Sequence, residues 1–128
     1  MNYCQDGIQV YFPTEWQWYD DEHNSGNNIY GHYKLQSYYV NDRPYFKMGD
    51  YGLWWNGISE WWIGRDIKKG QSLGYARVYK DVFCPHQLSD LEWWLWSYKL
   101  NIWYSLNGFG IADLFITCKC TCIFIQTE

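Results

Sequence analysis

The sequence predicts an all-β domain, a small antiparallel sandwich or barrel-like fold built from short hairpins and stapled by disulfides. Aromatic residues make up 23% of the chain, with ten Trp and thirteen Tyr, and such residues fit the pleated, half-buried surface of a sheet. The apolar runs are short, and many alternate with polar positions at the strand period of two rather than the helical 3.6. Between the runs stand turn-forming pairs: Asn41-Asp42, Asn56-Gly57 and Asn107-Gly108, residue types that tolerate the positive φ of a tight hairpin. The length of 128 residues suits a single domain with one real core.

Along the chain, residues 8–12 ("IQVYF") alternate and stop at Pro13, and the polar run that follows, through Asn-Ser-Gly-Asn-Asn, is a loop by composition. Residues 29–40 read as a strand that turns at Asn41-Asp42 and returns through 43–48, where Pro44 suits an edge or a non-bonded position. The stretch "LWWNGISEWWIG", residues 53–64, sets two tryptophan pairs about a polar centre. A two-residue turn at Asn56-Gly57 would oppose Trp55 to Ile58. A five-residue loop instead pairs Trp55 with Trp61, Trp54 with Trp62 and Leu53 with Ile63, matching aromatic with aromatic, and this register is preferred. Strands are therefore expected at 51–55 and 60–64. Alternation then gives one apolar face of Tyr51, Leu53, Trp55, Trp61 and Ile63, the core. The opposite face carries Gly52, Trp54, Trp62 and Gly64, with each indole beside a glycine that leaves it room. That face is expected either to lie under another strand layer or to meet a partner. Residues 73–80 alternate again. Residues 91–98 fit a strand, with a helical turn possible near Ser89, where Ser89 and Glu92 resemble a capping box; a helix with Leu91, Trp94, Leu95 and Tyr98 on one face remains the alternative. A closing strand is expected over 111–118.

The net charge of −4 and the scatter of the ten basic residues give no electrostatic reason to expect nucleic acid, and Lys68-Lys69 reads as a solvated turn rather than a phosphate site. No apolar run approaches the roughly 18 residues of a membrane span, and no basic start followed by an apolar stretch marks Met1 as the opening of a secretory signal. Five cysteines, Cys4, Cys84, Cys118, Cys120 and Cys122, in a small aromatic-rich chain point to a secreted, disulfide-bonded protein, so the chain is read as a mature fragment or one module of a longer one. Cys118, Cys120 and Cys122 on one strand would point to one face with Cα atoms about 6.5–7 Å apart, at the limit of disulfide geometry, so each needs a partner elsewhere. Clustered thiolates can bind soft metals, but no second cluster accompanies "CKCTC". "DDEH" at 20–23 matches no EF-hand or zinc spacing and reads as a solvated loop. Cys84 and His86 flank a proline and do not form a nucleophile–base pair, and His32 reads as a packed or half-exposed histidine. Any two of Asp50, Glu60, Asp66 and Asp81 are candidates for paired acids, but no spacing favours them. No nucleophile elbow, phosphate loop or cofactor motif is present.

"NDRPYF" at 41–46, "LWW" at 53–55, "WWIG" at 61–64, "GYA" at 74–76 and "CP" at 84–85 together resemble an aromatic-rich module repeated in extracellular proteins of invertebrates and protists. The likeness spans about residues 30–118; Asp42 stands where that pattern carries glycine, and the segments 1–28 and 119–128 lie outside it. It implies a small all-β extracellular module used in binding or assembly, without catalysis. It also implies that Cys84 and Cys118 occupy framework positions and bridge, leaving Cys4 to join Cys120 or Cys122 and one thiol over. The expected function is therefore a non-enzymatic structural module that associates with copies of itself or with neighbouring modules through aromatic surface and terminal strands. The alternative is a carbohydrate-binding module with Trp54, Trp62, Asn56 and Glu60 as its platform. Peptide mapping under non-reducing conditions should recover Cys84 linked to Cys118; free thiols at both would remove the bridge and the main support for secretion. Losing that bond should cost on the order of 2–5 kcal/mol.

Overall fold

The structure, a computed structural model, describes residues 7–11, 28–83, 85, 93–105 and 115–118. The strands are β1 (Ile8–Tyr11), β2 (Gly31–Val40), β3 (Arg43–Met48), β4 (Tyr51–Trp55), β5 (Glu60–Arg65), β6 (Ala76–Tyr79), β7 (Trp93–Ser97), β8 (Ile102–Ser105) and β9 (Phe115–Cys118). They form one antiparallel sheet in the order β8-β7-β6-β5-β4-β3-β2-β1-β9. From β1 to β8 every pairing joins strands consecutive in the chain, and β9 attaches by pairing with β1. The all-β expectation holds, and of its two forms the barrel-like one is found. The sheet curls, so that Ile8 and Val10 of β1 share a single buried cluster with Phe46, Leu53, Trp61, Ala76, Trp93 and Leu95.

β2 shows how the curl is made. Its first residues pair with β1, Tyr33 opposite Ile8 and Gly31 opposite Val10, while from Lys34 onward it pairs with β3. This stagger is what a sheet needs to roll up rather than lie flat. The β2–β3 register also slips between Leu35, opposite Phe46, and Tyr39, opposite Pro44. Pro44 has no N–H to give to a ladder, and a bulge is where a buried sheet tolerates it. The turn beyond has both Asn41 and Asp42 at positive φ, as the sequence requires of it.

The tryptophan hairpin adopts the preferred register: Trp55 opposes Trp61, Trp54 opposes Trp62, and Leu53 opposes Ile63. The loop is held by one side chain. Asn56 Oδ1 accepts from the backbone N–H of Ile58, Ser59 and Glu60, each at 3.0 Å. The segment 91–98 resolves as strand over Trp93–Ser97; the helical turn considered near Ser89 lies outside the described residues. The strand expected over 73–80 begins only at Ala76. The cause is the approach of two backbones, because a Cβ on Gly64 would stand 2.7 Å from Gly74 Cα and one on Gly74 2.6 Å from the Ile63 carbonyl oxygen. Tyr75 still donates its backbone N–H to the Ile63 carbonyl at 2.8 Å, and the ladder goes no further back than that. Of the closing strand expected over 111–118, Phe115–Cys118 is seen. Cys4, Cys84, Cys120 and Cys122 and the side chain of Cys118 lie outside what the structure describes, and the disulfide assignments fall there with them.

Candidate functional site

The outer face of the hairpin is covered by the protein itself. Trp54 is fully buried and Trp62 is 4% exposed, packed with Tyr45, Val40 and Trp103 in a second small cluster outside the main core. The cover over Trp54 is the β5–β6 connection, residues 66–74, which folds back across the sheet as a strap. Four side chains stitch it down. Trp54 Nε1 donates to the Gln71 carbonyl at 2.8 Å, and Asn41 Nδ2 donates to the carbonyls of Trp55 and Gly70 at 2.8 and 3.1 Å. Asn56 Nδ2 donates to Ser72 Oγ at 3.0 Å, and the Tyr45 hydroxyl donates to Asp66 Oδ1. The glycines do the work expected of them, with one change. A Cβ on Gly64 would press on the Trp54 ring, but Gly52 makes room for the Tyr45 ring rather than for an indole.

The residues named for a platform are thus brought close together but not presented. Trp54 and Trp62 show almost no indole to solvent, and Asn56, 8% exposed, organises the loop and the strap. Glu60 is ion-paired with Arg77, Oε2 to Nη1 at 3.2 Å. Arg77 in turn lies over Trp62 and Trp103, its guanidinium carbon 5.8 and 4.7 Å from their ring centroids. Beyond it the rings continue: Trp62 meets Trp103 edge-on at 5.7 Å, and Trp103 meets Trp96 at 5.5 Å. Among the described residues neither Trp62 Nε1 nor Arg77 Nε has a hydrogen-bond partner.

The other carboxylates do not converge. Asp81 pairs with Arg43 at 2.7 Å, and Asp66 lies 3.6 and 3.7 Å from Lys47 and Lys69. Arg43 also stacks on Trp55, 3.8 Å from the ring centroid, and donates to the Val82 carbonyl, which accepts from Trp61 Nε1 as well. This pins the segment after β6 across one end of the core. Burial works to raise the Asp66 carboxyl, but the Tyr45 hydroxyl, Lys69 and Lys47 together hold it below the ordinary 3.8. Burial, then the bond to Asp66, pushes Tyr45 far above the usual tyrosine range, so it stays protonated and remains the donor. His32 is half-buried, its ring so close to Gly7 that a Cβ there would lie 2.6 Å from Nε2. "DDEH" and all of "CKCTC" beyond Cys118 lie outside the described residues, among which no group of His, Cys, Asp and Glu is placed to hold a metal ion; no helix among them is long and apolar enough to cross a membrane.

Two features had no counterpart in the sequence pattern. At the end of the sheet where β5 stops and β6 starts, Arg65, Lys68, Leu73, Gly74, Tyr75, Trp96 and Tyr98 line an open cleft of about 390 Å³. The β7–β8 hairpin beside it is apolar on its surface, with Trp94, Tyr98, Leu100 and Ile102 all exposed. The available signal for the cleft was parity: Arg65, the last residue of β5, continues the series Trp61, Ile63, while Trp96 alternates out from Trp93 and Leu95. No family model, curated protein or solved structure matches this chain.

The outer cluster allows a paired test. Trp54→Phe and Trp62→Phe remove similar ring volume from the same cluster, but only the first removes a satisfied hydrogen bond. Chemical denaturation should find Trp54→Phe more destabilising by about 1 kcal/mol; equal losses would mean that the Gln71 bond contributes nothing. Asp66 gives a second expectation. Its folded carboxyl binds a proton more weakly than the unfolded one, so its contribution is complete well above the ordinary value of 3.8 and is lost as pH falls through the lower folded value. The stability gap between the parent chain and Asp66→Asn should therefore narrow in acid, and a gap that widened would reverse the assignment.

Proposed function

We propose that this chain is a non-enzymatic extracellular structural module that associates with copies of itself or with neighbouring modules. The observation that carries this is the concentration of exposed apolar side chains on the β7–β8 hairpin. Tyr98, Leu100 and Ile102 are 47%, 46% and 49% exposed, and Trp94 lies on the same hairpin. β8 is also the last strand at its end of the sheet order, as β9 is at the other. An edge strand flanked by apolar surface is a template for pairing with another chain. The opposite edge of the sheet is β9, which pairs with β1 from Ile8 opposite Cys118 to Tyr11 opposite Phe115. Two unlike edges favour a head-to-tail contact, and such contacts propagate unless the rotation closes them. The extracellular setting rests on the cysteine content and on the module that the motifs resemble. Glycan stacking on Trp54 and Trp62 gains no support, because the strap and Trp103 occupy the space in front of those rings.

Sedimentation across a range of concentrations should show self-association that weakens in the double variant Leu100→Asp, Ile102→Asp. Both positions are exposed, so the fold should survive the change. Replacing exposed anchors of a central contact typically costs about 2 kcal/mol of association each. A parent chain that sediments as a monomer at every concentration would refute this function.

A further inference from the structure

The cleft at the β5–β6 end carries cationic groups that the assembly proposal does not use, although Tyr98 belongs to both surfaces. Its walls are an indole and two phenols. Trp96 and Tyr98 stand nearly perpendicular, 89° apart with centroids at 6.4 Å, and Tyr98 lies 6.4 Å from Tyr75. Both charged groups in the lining are cations, Arg65 and Lys68. The chain has three arginines. Arg43 is paired with Asp81 and Arg77 with Glu60, whereas among the described residues Arg65 has no carboxylate in ion-pair contact. It donates Nε to the Tyr75 hydroxyl at 3.2 Å and sits 5.7 Å from the Tyr51 ring. That leaves its two terminal nitrogens without a hydrogen bond among the described residues. Asp50 acts on it through charge but lies outside the lining. Because the Tyr75 oxygen accepts from Arg65, its own proton is free to point at a ligand.

Aromatic walls and two cationic donors in the lining, in a cleft of this volume, fit a small ring that is apolar on its face and anionic at its edge. A pyranose has such faces in its axial C–H groups, and an indole or phenol ring packs against them. The net charge of −4 weighs against a long polyanion and leaves a single acidic unit. We infer that this cleft binds a carboxylated pyranose, its carboxylate held by Arg65 and Lys68 and its ring packed against Trp96 and Tyr98. Unlike Trp54 and Trp62, these rings border open space.

The test is calorimetric titration of the intact chain at low ionic strength with methyl glucuronide, methyl glucoside, benzoate and sulfate. Methyl glucuronide should bind, with methyl glucoside weaker by at least about tenfold, since a charge-assisted hydrogen bond is worth that much or more. Arg65→Gln and Lys68→Gln should each weaken the glucuronide by a similar factor while leaving sedimentation unchanged, because neither residue lies on the β7–β8 hairpin. Lys68 is exposed in a turn, so its variant stays informative even if Arg65→Gln disturbs the fold. No binding of the glucuronide, equal binding of the two glycosides, or no effect of either variant would overturn the inference. Benzoate or sulfate binding as tightly as the glucuronide would also overturn it, showing an anion site that does not read the sugar. A monomeric chain that still binds the glucuronide would separate this site's success from a failure of the assembly proposal.

Discussion

The pairing of Trp54 with Trp62 and of Trp55 with Trp61 is the constraint on which the rest of the molecule depends. Side chains alternate along a strand, so a slip of one residue would exchange the two faces of β4 relative to β5. In the observed register the Trp55–Trp61 pair, centroids 6.1 Å apart, enters the main core, and Trp54 and Trp62 face outward together. Only then does the outer face offer a broad apolar patch for the β5–β6 strap to cover. Only then does Trp61 reach the Val82 carbonyl while Arg43 stacks on Trp55.

The strap explains how so aromatic a chain hides much of its load. A curled single sheet has an enclosed concave side and an exposed convex one, and ten tryptophans exceed what the concave side of a small domain accommodates. Here the convex side has a small core of its own, roofed by a connection with little regular structure. Four of its polar groups, the Gly70 and Gln71 carbonyls, Ser72 Oγ and the Asp66 carboxylate, bond the side chains of Asn41, Trp54, Asn56 and Tyr45. Among the described residues, large apolar side chains remain exposed on the β7–β8 hairpin and also singly elsewhere, as at Ile58, Ile67 and Tyr79.

The strands and turns were legible because they are local. Asn41-Asp42 takes positive φ for reasons contained in two residues, and the hairpin register follows from matching aromatic with aromatic over a dozen. The helix–strand ambiguity at 93–97 was settled by neighbours: β6 and β8 flank the segment, with Ala76 opposite Leu95 and Trp103 opposite Trp96. What could not be read was non-local. Nothing in "RDIKKGQ" says that this loop lies over Trp54, since its apolar content is low and its anchors are two backbone carbonyls and the Asp66 carboxylate. The early departure at Gly74 depends on its contact with Gly64. Asn41, Arg43, Tyr45 and Gly64 illustrate the same point, since each is occupied by a contact within this chain that its local sequence does not announce. The cleft was missed because its lining comes from the end of β5, the strap and Tyr75 after it, β7 and the β7–β8 turn, segments far apart in the chain with no common pattern.

The strand order has a consequence for how the protein comes into being. A meander in which β1 through β8 pair only with their chain neighbours closes short loops one at a time, and short closures cost little entropy and proceed quickly. During synthesis each hairpin can form as its second strand emerges. β9 is different: its partner is β1, made first and separated from it by nearly everything described here. Until β9 arrives, the free edge of β1 has no strand on that side and is open to β9 of another molecule as readily as to its own. The choice between a self-contained protein and an exchanged one is thus made at the final pairing and governed by local concentration.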